Sequence, residues 1–190
     1  MKQSDFMKEN KVLIIDGALR NDGYTKKLVE FFKTHCKSDS VKIFNAAKEK
    51  IAFCDGCNFC EENEHCKFTD LNELFKAFEE ADVIAFATPV YNGMVSAPLK
   101  ILIERLQPYY TYFYKNNKKQ KIEKRRKAFI IATSGRDGKE ALDFIEKQFK
   151  YTFSVTNIEL LGSVLCNYTD TLPNVENAEK EILSIIERIG

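Results

Sequence analysis

The sequence predicts an α/β domain, a doubly wound five-stranded parallel sheet in the order 2-1-3-4-5. Three observations carry this. Strand-like and helix-like segments alternate five times along the chain. The strand-like segments are apolar almost throughout, which requires helices on both faces of the sheet. Five strands in 190 residues suit this order better than a six-stranded dinucleotide-binding arrangement. In order, KVLIID (11–16) is a compact β-branched run, the first strand. Residues 25–36 follow with Leu28, Phe31, Phe32 and His35 on one helical face. VKIFN (41–45) is the second strand, and 70–80 is a helix with Leu71, Leu74, Phe75 and Phe78 inward. DVIAFA (82–87) is the third strand, followed by a helix over 96–106 with Leu99, Leu102, Ile103 and Leu106. KAFIIAT (127–133) is the fourth strand, and the helix at 139–150 faces Leu142, Ile145 and Phe149 inward. IELLGSVLC (158–166) is the fifth strand, and a last helix at 174–189 turns Val175, Ala178, Ile182, Ile185, Ile186 and Ile189 to the core.

Composition narrows what such a domain does. With 44% hydrophobic and 30% charged residues, residues 1–190 read as one domain with its own core. The net charge of +1 lacks the basic surplus of a protein that coats nucleic acid or an acidic membrane surface. The N-terminal MKQSDFMKEN is polar, and no run approaches the ~18 apolar residues of a membrane span. The expectation is therefore a cytoplasmic protein without nucleic-acid or membrane partners. In that compartment, six cysteines are better suited to metal or redox work than to disulfides.

Two connections are longer than the fold requires. One, at about 46–69, is rich in cysteine; the other, at about 107–126, is aromatic and then basic. Ligands of such sheets bind beyond the C-terminal strand ends, where strands 1 and 3 diverge. The cysteine segment leaves from that same edge and is expected near the ligand. After strand one, DGALRNDGYTKKL (16–28) carries Gly17 and Gly23 for tight turns, Arg20 as a planar fork for phosphate, and Tyr24 and Thr25 at a helix start. Free N–H groups and the helix dipole there favour an anion. After strand three, Pro89 ends the ladder, and Val90, Tyr91, Asn92 and Gly93 form a loop whose amides suit a flat ring. Ser96 is placed to cap the next helix.

The segments GALRNDGYT (17–25) and TPVYNGMVSAPLKILIER (88–105) resemble the loop motifs of the flavodoxin-like NAD(P)H-dependent FMN reductases, G-S-P-R-x-x-G-N-T and T-P-V-Y-x-x-x-x-S-A-x-x-K-x-x-x-D-R. The resemblance implies that Ala18, Leu19, Arg20, Gly23, Tyr24 and Thr25 hold the FMN phosphate. It implies that Pro89, Val90, Tyr91, Asn92 and Gly93 lie along the isoalloxazine ring. Thr133, Ser134 and Gly135, in TSGRDG after strand four, complete the implied flavin site. Ala18 and Tyr24 stand where the motif has serine and asparagine, and each removes a side-chain hydrogen bond to phosphate.

Cys54, Cys57, Cys60 and Cys66 are spaced C-x2-C-x2-C-x5-C. Such a loop directs several sulfurs inward and suits an iron–sulfur cluster or a tetrahedral zinc. His65 is a possible substitute ligand. Asp55, Glu61, Glu62 and Glu64 make the loop acidic, and an acidic loop attracts a basic redox partner. The spacing resembles that of the iron–sulfur flavoprotein branch of the same family. This implies a [4Fe–4S] cluster passing electrons to FMN, a homodimer or homotetramer, and a reduced protein donor such as ferredoxin. The alternatives are an NAD(P)H-dependent FMN or quinone reductase, using NADH or NADPH, whose cysteine loop is structural or binds zinc, and a flavodoxin-like electron carrier. Cys36 and Cys166 read as small buried residues. Tyr109, Tyr110, Tyr112, Phe113 and Tyr114 suit an interface or a lid, and the basic run 115–127 reads as a solvated loop. No nucleophile–histidine pair is present; catalysis is assigned to the cofactor and to no side chain.

Overall fold

Five parallel strands, β1 (Lys11–Asp16), β2 (Ser40–Asn45), β3 (Val83–Pro89), β4 (Arg126–Thr133) and β5 (Ile158–Cys166), pair in the order β2-β1-β3-β4-β5. The computed structural model describes residues 10–189. Successive side chains of a strand point to opposite faces, so the central strands feed two cores. Leu13, Ile15, Ile84, Phe86 and Ile130 pack against α3 (Asn72–Glu80), α4 (Ala97–Glu104) and α6 (Lys139–Val155). Val12, Ile14, Ala85, Phe129 and Ile131 pack against α1 (Tyr24–His35) and α7 (Val175–Ile189). Burial on both faces is why these strands read as unbroken apolar runs. Among the described residues, no helix is long and apolar enough to cross a membrane.

Several elements differ from the expectation. Helix α6 runs on to Val155, because Phe149 and Phe153 continue its inward stripe and pack their rings at a tilt against Phe86, with centroids 4.7 and 5.6 Å away. The two long connections each contain a helix, α2 (Phe59–Asn63) and α5 (Gln107–Lys115). Pro108 begins α5 in its first turn, where the missing N–H costs nothing. His35 is exposed rather than on the buried face of α1; it stacks on Phe31 with ring centroids 4.1 Å apart. The basic run is not wholly solvated. Arg126 is 1% exposed and donates to the carbonyls of Phe78 and Thr156, while Lys115 and Lys121 donate to the carbonyls of Glu61 and Glu64. The aromatic set divides: Tyr109 is buried against Phe75 and Phe78, with its hydroxyl on Glu79, whereas Tyr110 and Tyr114 are exposed. Cys36 and Cys166 are buried as expected.

The C-terminal ends of β1 and β3 are locked together at Gly17. Its N–H donates to the Ala87 carbonyl at 2.8 Å, and its carbonyl accepts from Ser96 Oγ at 2.7 Å. Ser96 stands at the N-cap of α4, but its hydroxyl spans to the neighbouring loop and makes no cap to its own helix. A Cβ on residue 17 would lie 2.7 Å from Ser96 Oγ, 3.0 Å from Leu99 Cβ and 3.1 Å from the Ala87 carbonyl oxygen. Overpacking of this kind costs about 1–3 kcal/mol. Gly17→Ala is expected to lower the unfolding free energy from urea titration by that much while Gly23→Ala, with no atom closer than 3.5 Å to the added carbon, changes it far less.

Candidate functional site

The site is built where four strand ends meet. Asp16, fully buried at the end of β1, accepts the Ala18 N–H through Oδ1 at 2.9 Å. Its Oδ2 accepts Asn45 Nδ2 at 3.0 Å and faces Lys26 Nζ at 3.4 Å. The chain is thereby turned out of the sheet into the loop that precedes α1. Thr25 Oγ1 lies 2.6 Å from Thr133 Oγ1, which joins the start of α1 to the end of β4. The Val90 N–H donates to the Thr133 carbonyl at 2.7 Å, bringing in the loop after β3. The loop after β5 joins through Thr169 N–H to the Ser134 carbonyl at 3.0 Å and Tyr168 N–H to the Arg136 carbonyl at 3.2 Å.

These loops enclose a cavity of about 340 Å³. From the first loop it is lined by Ala18, Leu19, Arg20, Gly23, Tyr24 and Thr25, all expected there, and by Asp22. Pro89, Val90 and Tyr91 form a second wall, and Thr133 and Gly135 a third. Three expected residues do not line it. Asn92 and Gly93, with φ of 50° and 76°, are the exposed tip of a two-residue hairpin turn closed by mutual 3.0 Å bonds between Tyr91 and Met94. Ser134 lies behind the wall, its N–H on the Cys166 carbonyl. The amides of Val90 and Tyr91, expected to face a ring, are used inside the loops. Thr169 and Asp170 form a fourth wall that the sequence reading missed. Asp170 packs so tightly on Gly135 that a Cβ there would collide with its carboxylate.

The cavity is equipped for an anion at one end. Helix α1 has Gly23 at its N-cap, no side-chain cap and no acidic residue in its first turn. Its leading N–H groups and the positive end of its dipole are thus left for a ligand, with Arg20 beside them.

The cysteine segment forms a separate site. Cys54, Cys57, Cys60 and Cys66 are all free thiols and line one cavity of about 100 Å³, together with Arg105, Pro108 and Thr111. Burial pushes the Cys60 thiol up, aided by Cys66 and Cys54 and opposed by Thr111. Cys57 is exposed, beside the Lys67–Asp55 pair, which closes at 2.6 Å. That lysine holds the Asp55 carboxyl below its ordinary range. His65 is turned to the Asn63 carbonyl at 2.5 Å and does not line the cavity. As placed, no three His, Cys, Asp or Glu among the described residues gather closely enough to hold a metal ion.

Arg105 fixes this segment at both ends. Its Nη1 donates to the Ala52 carbonyl at 2.6 Å; its Nη2 donates to the Phe68 carbonyl at 3.3 Å and to Asp70 Oδ1 at 2.7 Å. Burial works against the guanidinium charge, and Asp70 with Cys66 outweighs it, so Arg105 is held above its ordinary range. Arg105 is the C-cap of α4, whose other end meets Gly17. The two sites therefore stand at opposite ends of one eight-residue helix, about 12 Å long. The cysteine segment, which leaves from the same sheet edge, contributes no residue to the first cavity's walls; the Arg105 staple ties it to the C-terminal end of α4.

Residues 10–189 match a family described as having a flavodoxin-like fold. The chain is 35% identical over 111 residues to an iron–sulfur flavoprotein of Methanocaldococcus jannaschii, covering 57% of this chain and 58% of that one. Against two iron–sulfur flavoproteins of Archaeoglobus fulgidus it spans only 33% and 46% of their length. It is 25% identical to an FMN-dependent NADH:quinone oxidoreductase of Francisella philomiragia, covering 94% of this chain and 96% of that one. The fold is shared with an FMN-dependent NADH-azoreductase from Bacillus anthracis, solved with FMN, at a TM-score of 0.73 and 17% identity, covering 95% and 99% of the chains.

The staple has a pH signature. Burial raises the Asp70 carboxyl, but the bonds from Arg105 and the Ala52 N–H prevail and hold it below its ordinary range. The stability it contributes is present above the unfolded value, near ~pH 4, and is lost as pH falls through the lowered folded value. Asp70→Asn is expected to cost about 1–3 kcal/mol at neutral pH. Urea titrations should show the gap to the wild type closing as the pH drops below that range; a gap independent of pH would place the effect elsewhere.

Proposed function

From the premise that this chain belongs to the flavodoxin-like fold family, we propose that it is an FMN-dependent oxidoreductase of the NAD(P)H:quinone or flavin reductase kind. The observation that carries this is the cavity at the C-terminal ends of β1, β3, β4 and β5, with an uncapped helix N-terminus in its wall. The residues present suit FMN. The leading amides of α1 and Arg20 bind the phosphate, and the Thr25–Thr133 contact holds that helix end against the sheet. Pro89, Val90 and Tyr91 supply an apolar wall for the ring, and the Tyr91–Met94 turn braces it. Thr169 and Asp170 offer polar groups toward the sugar-like chain of the cofactor. FMN, when bound, supplies the acceptance and release of electrons; the protein positions it and shapes access to it. The similarity to the Francisella NADH:quinone oxidoreductase over nearly the whole chain supports this assignment.

A second reading is favoured by the cysteine cavity. Four free thiols line one space together with a buried guanidinium, and the partial matches to iron–sulfur flavoproteins lie beside this observation. The donor set suits a thiolate-bound metal or iron–sulfur centre in kind. Cys54, Cys57, Cys60 and Cys66 would hold it, with Cys57 turning inward from its exposed position. On this reading a reduced protein such as ferredoxin is the donor, and the chain works as a homodimer or homotetramer.

The flavin assignment is tested by adding FMN to the purified protein and following quenching of its fluorescence. The wild type is expected to bind FMN, to be bleached anaerobically by NADH or NADPH, and to recover its colour on addition of a quinone. Arg20→Ala should weaken FMN binding about tenfold, the loss of one charge-assisted contact at an exposed site. A wild-type protein that takes up no FMN would overturn the proposal.

A further inference from the structure

We propose that the outer face of helix α6 (Lys139–Val155) is the contact surface for a second copy of this chain, packed antiparallel across a two-fold axis. Neither cavity's occupant bears on this surface. Charge is ordered along the helix: Asp143 and Glu146 come first, Lys147 and Lys150 after them. Asp143, Lys147 and Lys150 are exposed and Glu146 is half-buried. Asp143 and Lys147 are four residues apart, as are Glu146 and Lys150, the spacing at which opposite charges pair along a helix. Other helices use that spacing, with Lys26 on Glu30 in α1 and Lys100 on Glu104 in α4. Among the described residues none of the four charges on α6 forms an ion pair. A two-fold axis perpendicular to the helix reverses the direction of the partner's copy. With the axis level with the step from Glu146 to Lys147, Asp143 comes opposite the partner's Lys150 and Glu146 opposite the partner's Lys147. Symmetry makes each pair twice. A parallel copy would set acid against acid and base against base.

Apolar surface flanks this charged strip on both sides. On one side Phe144 is 47% and Tyr151 74% exposed, two turns apart on one stripe of the helix. Tyr110 and Tyr114 of α5 are exposed as well, their rings 4.7 Å apart. Tyr114 and, beyond it, Tyr151 push the Tyr110 hydroxyl up, so the rings of α5 and α6 belong to one patch. On the other side, α6 and the start of β5 border a groove of about 540 Å³ floored by Phe153, Ile158 and Leu160. Strand β5 is the edge of the sheet, and no further strand lies beyond it among the described residues. A two-fold axis lying in the plane of contact brings each flank against its own copy, rings on rings and groove on groove. Tyrosine and phenylalanine are enriched at the centre of such contacts. Helix α6 spans 17 residues, about 25 Å. With α5 and β5 about 10 Å to either side, the face approaches the ~800 Å² per partner of a stable interface.

Analytical ultracentrifugation of the full-length protein over a concentration series tests the interface. The wild type is expected to sediment as a dimer that loosens as salt is raised. Asp143→Lys should raise the dimer dissociation constant about 10- to 100-fold, because both copies of its pair become repulsive. Adding Lys150→Glu to that variant exchanges the two charges and should return the constant to near the wild-type value. Tyr151→Ala should weaken the dimer while leaving its salt dependence in place. If a variant does not fold, the wild type still decides. Carbodiimide treatment of mixed ¹⁴N- and ¹⁵N-labelled protein should join Asp143 of one copy to Lys150 of the other. A monomeric wild type overturns the proposal. A dimer that Asp143→Lys leaves unweakened, or that yields no such cross-link, places the contact elsewhere and overturns it too. A dimer weakened by Asp143→Lys and not restored by Lys150→Glu overturns the antiparallel pairing.

Discussion

Everything at the upper edge of the sheet is referred to the buried carboxylate of Asp16 and the glycine that follows it. Asp16 holds the Ala18 amide, Asn45 and Lys26 around one point with no exposure to solvent. Leaving the fully buried Asp16 carboxylate without these partners would cost about 1–3 kcal/mol or more, so the direction in which the chain leaves β1 is firmly set. Gly17 then lets the loop after β3 come close enough for Ser96 to bond its carbonyl. Without those two residues, the loops after β1 and β3 would not face each other across a cavity.

The same constraint reaches the second site through α4. Its first end is fixed to Gly17 by Ser96, and its last residue hands over to Arg105, which grips Ala52, Phe68 and Asp70. The helix itself is held by Leu99 and Leu102 in the core. A rigid strut therefore separates the cavity beside α1 from the cysteine cavity, and the position of each depends on the same packing. The acidic character of the cysteine segment is met within the chain, where Lys115 and Lys121 reach its carbonyls from α5 and the residues after it.

The three central strands were legible because burial on both faces leaves a plain mark, an apolar run bounded by polar residues; the edge strands β2 and β5 are only partly buried, and it was the alternation of strand and helix segments that marked them. Most of the first cavity was legible too, because glycines, a proline and an arginine at strand ends have few other uses. What escaped detection has physical causes. Helix α5 is a near-continuous aromatic run with a proline in its first turn, so it shows little contrast between faces and reads as a loop. Arg105 and Arg126 look like surface residues in a charged chain, and only the carbonyls gathered around each reveal their burial. Asp170 and Thr169 lie more than thirty residues beyond the fourth strand's end, and only the backbone bonds between the last two loops bring them to the cavity. The hairpin turn at Asn92 and Gly93 shows the converse: a motif in sequence whose tip supports the wall without being part of it.

The central claim is that the cavity beside α1 takes a flavin by its phosphate. The most direct test is calorimetric titration of the cofactor-free wild type with FMN and, separately, with riboflavin, which lacks that phosphate. The account predicts that FMN binds at least tenfold more tightly, since the uncapped helix end and Arg20 act only on the phosphate. Equal affinities, or tighter binding of riboflavin, would contradict it.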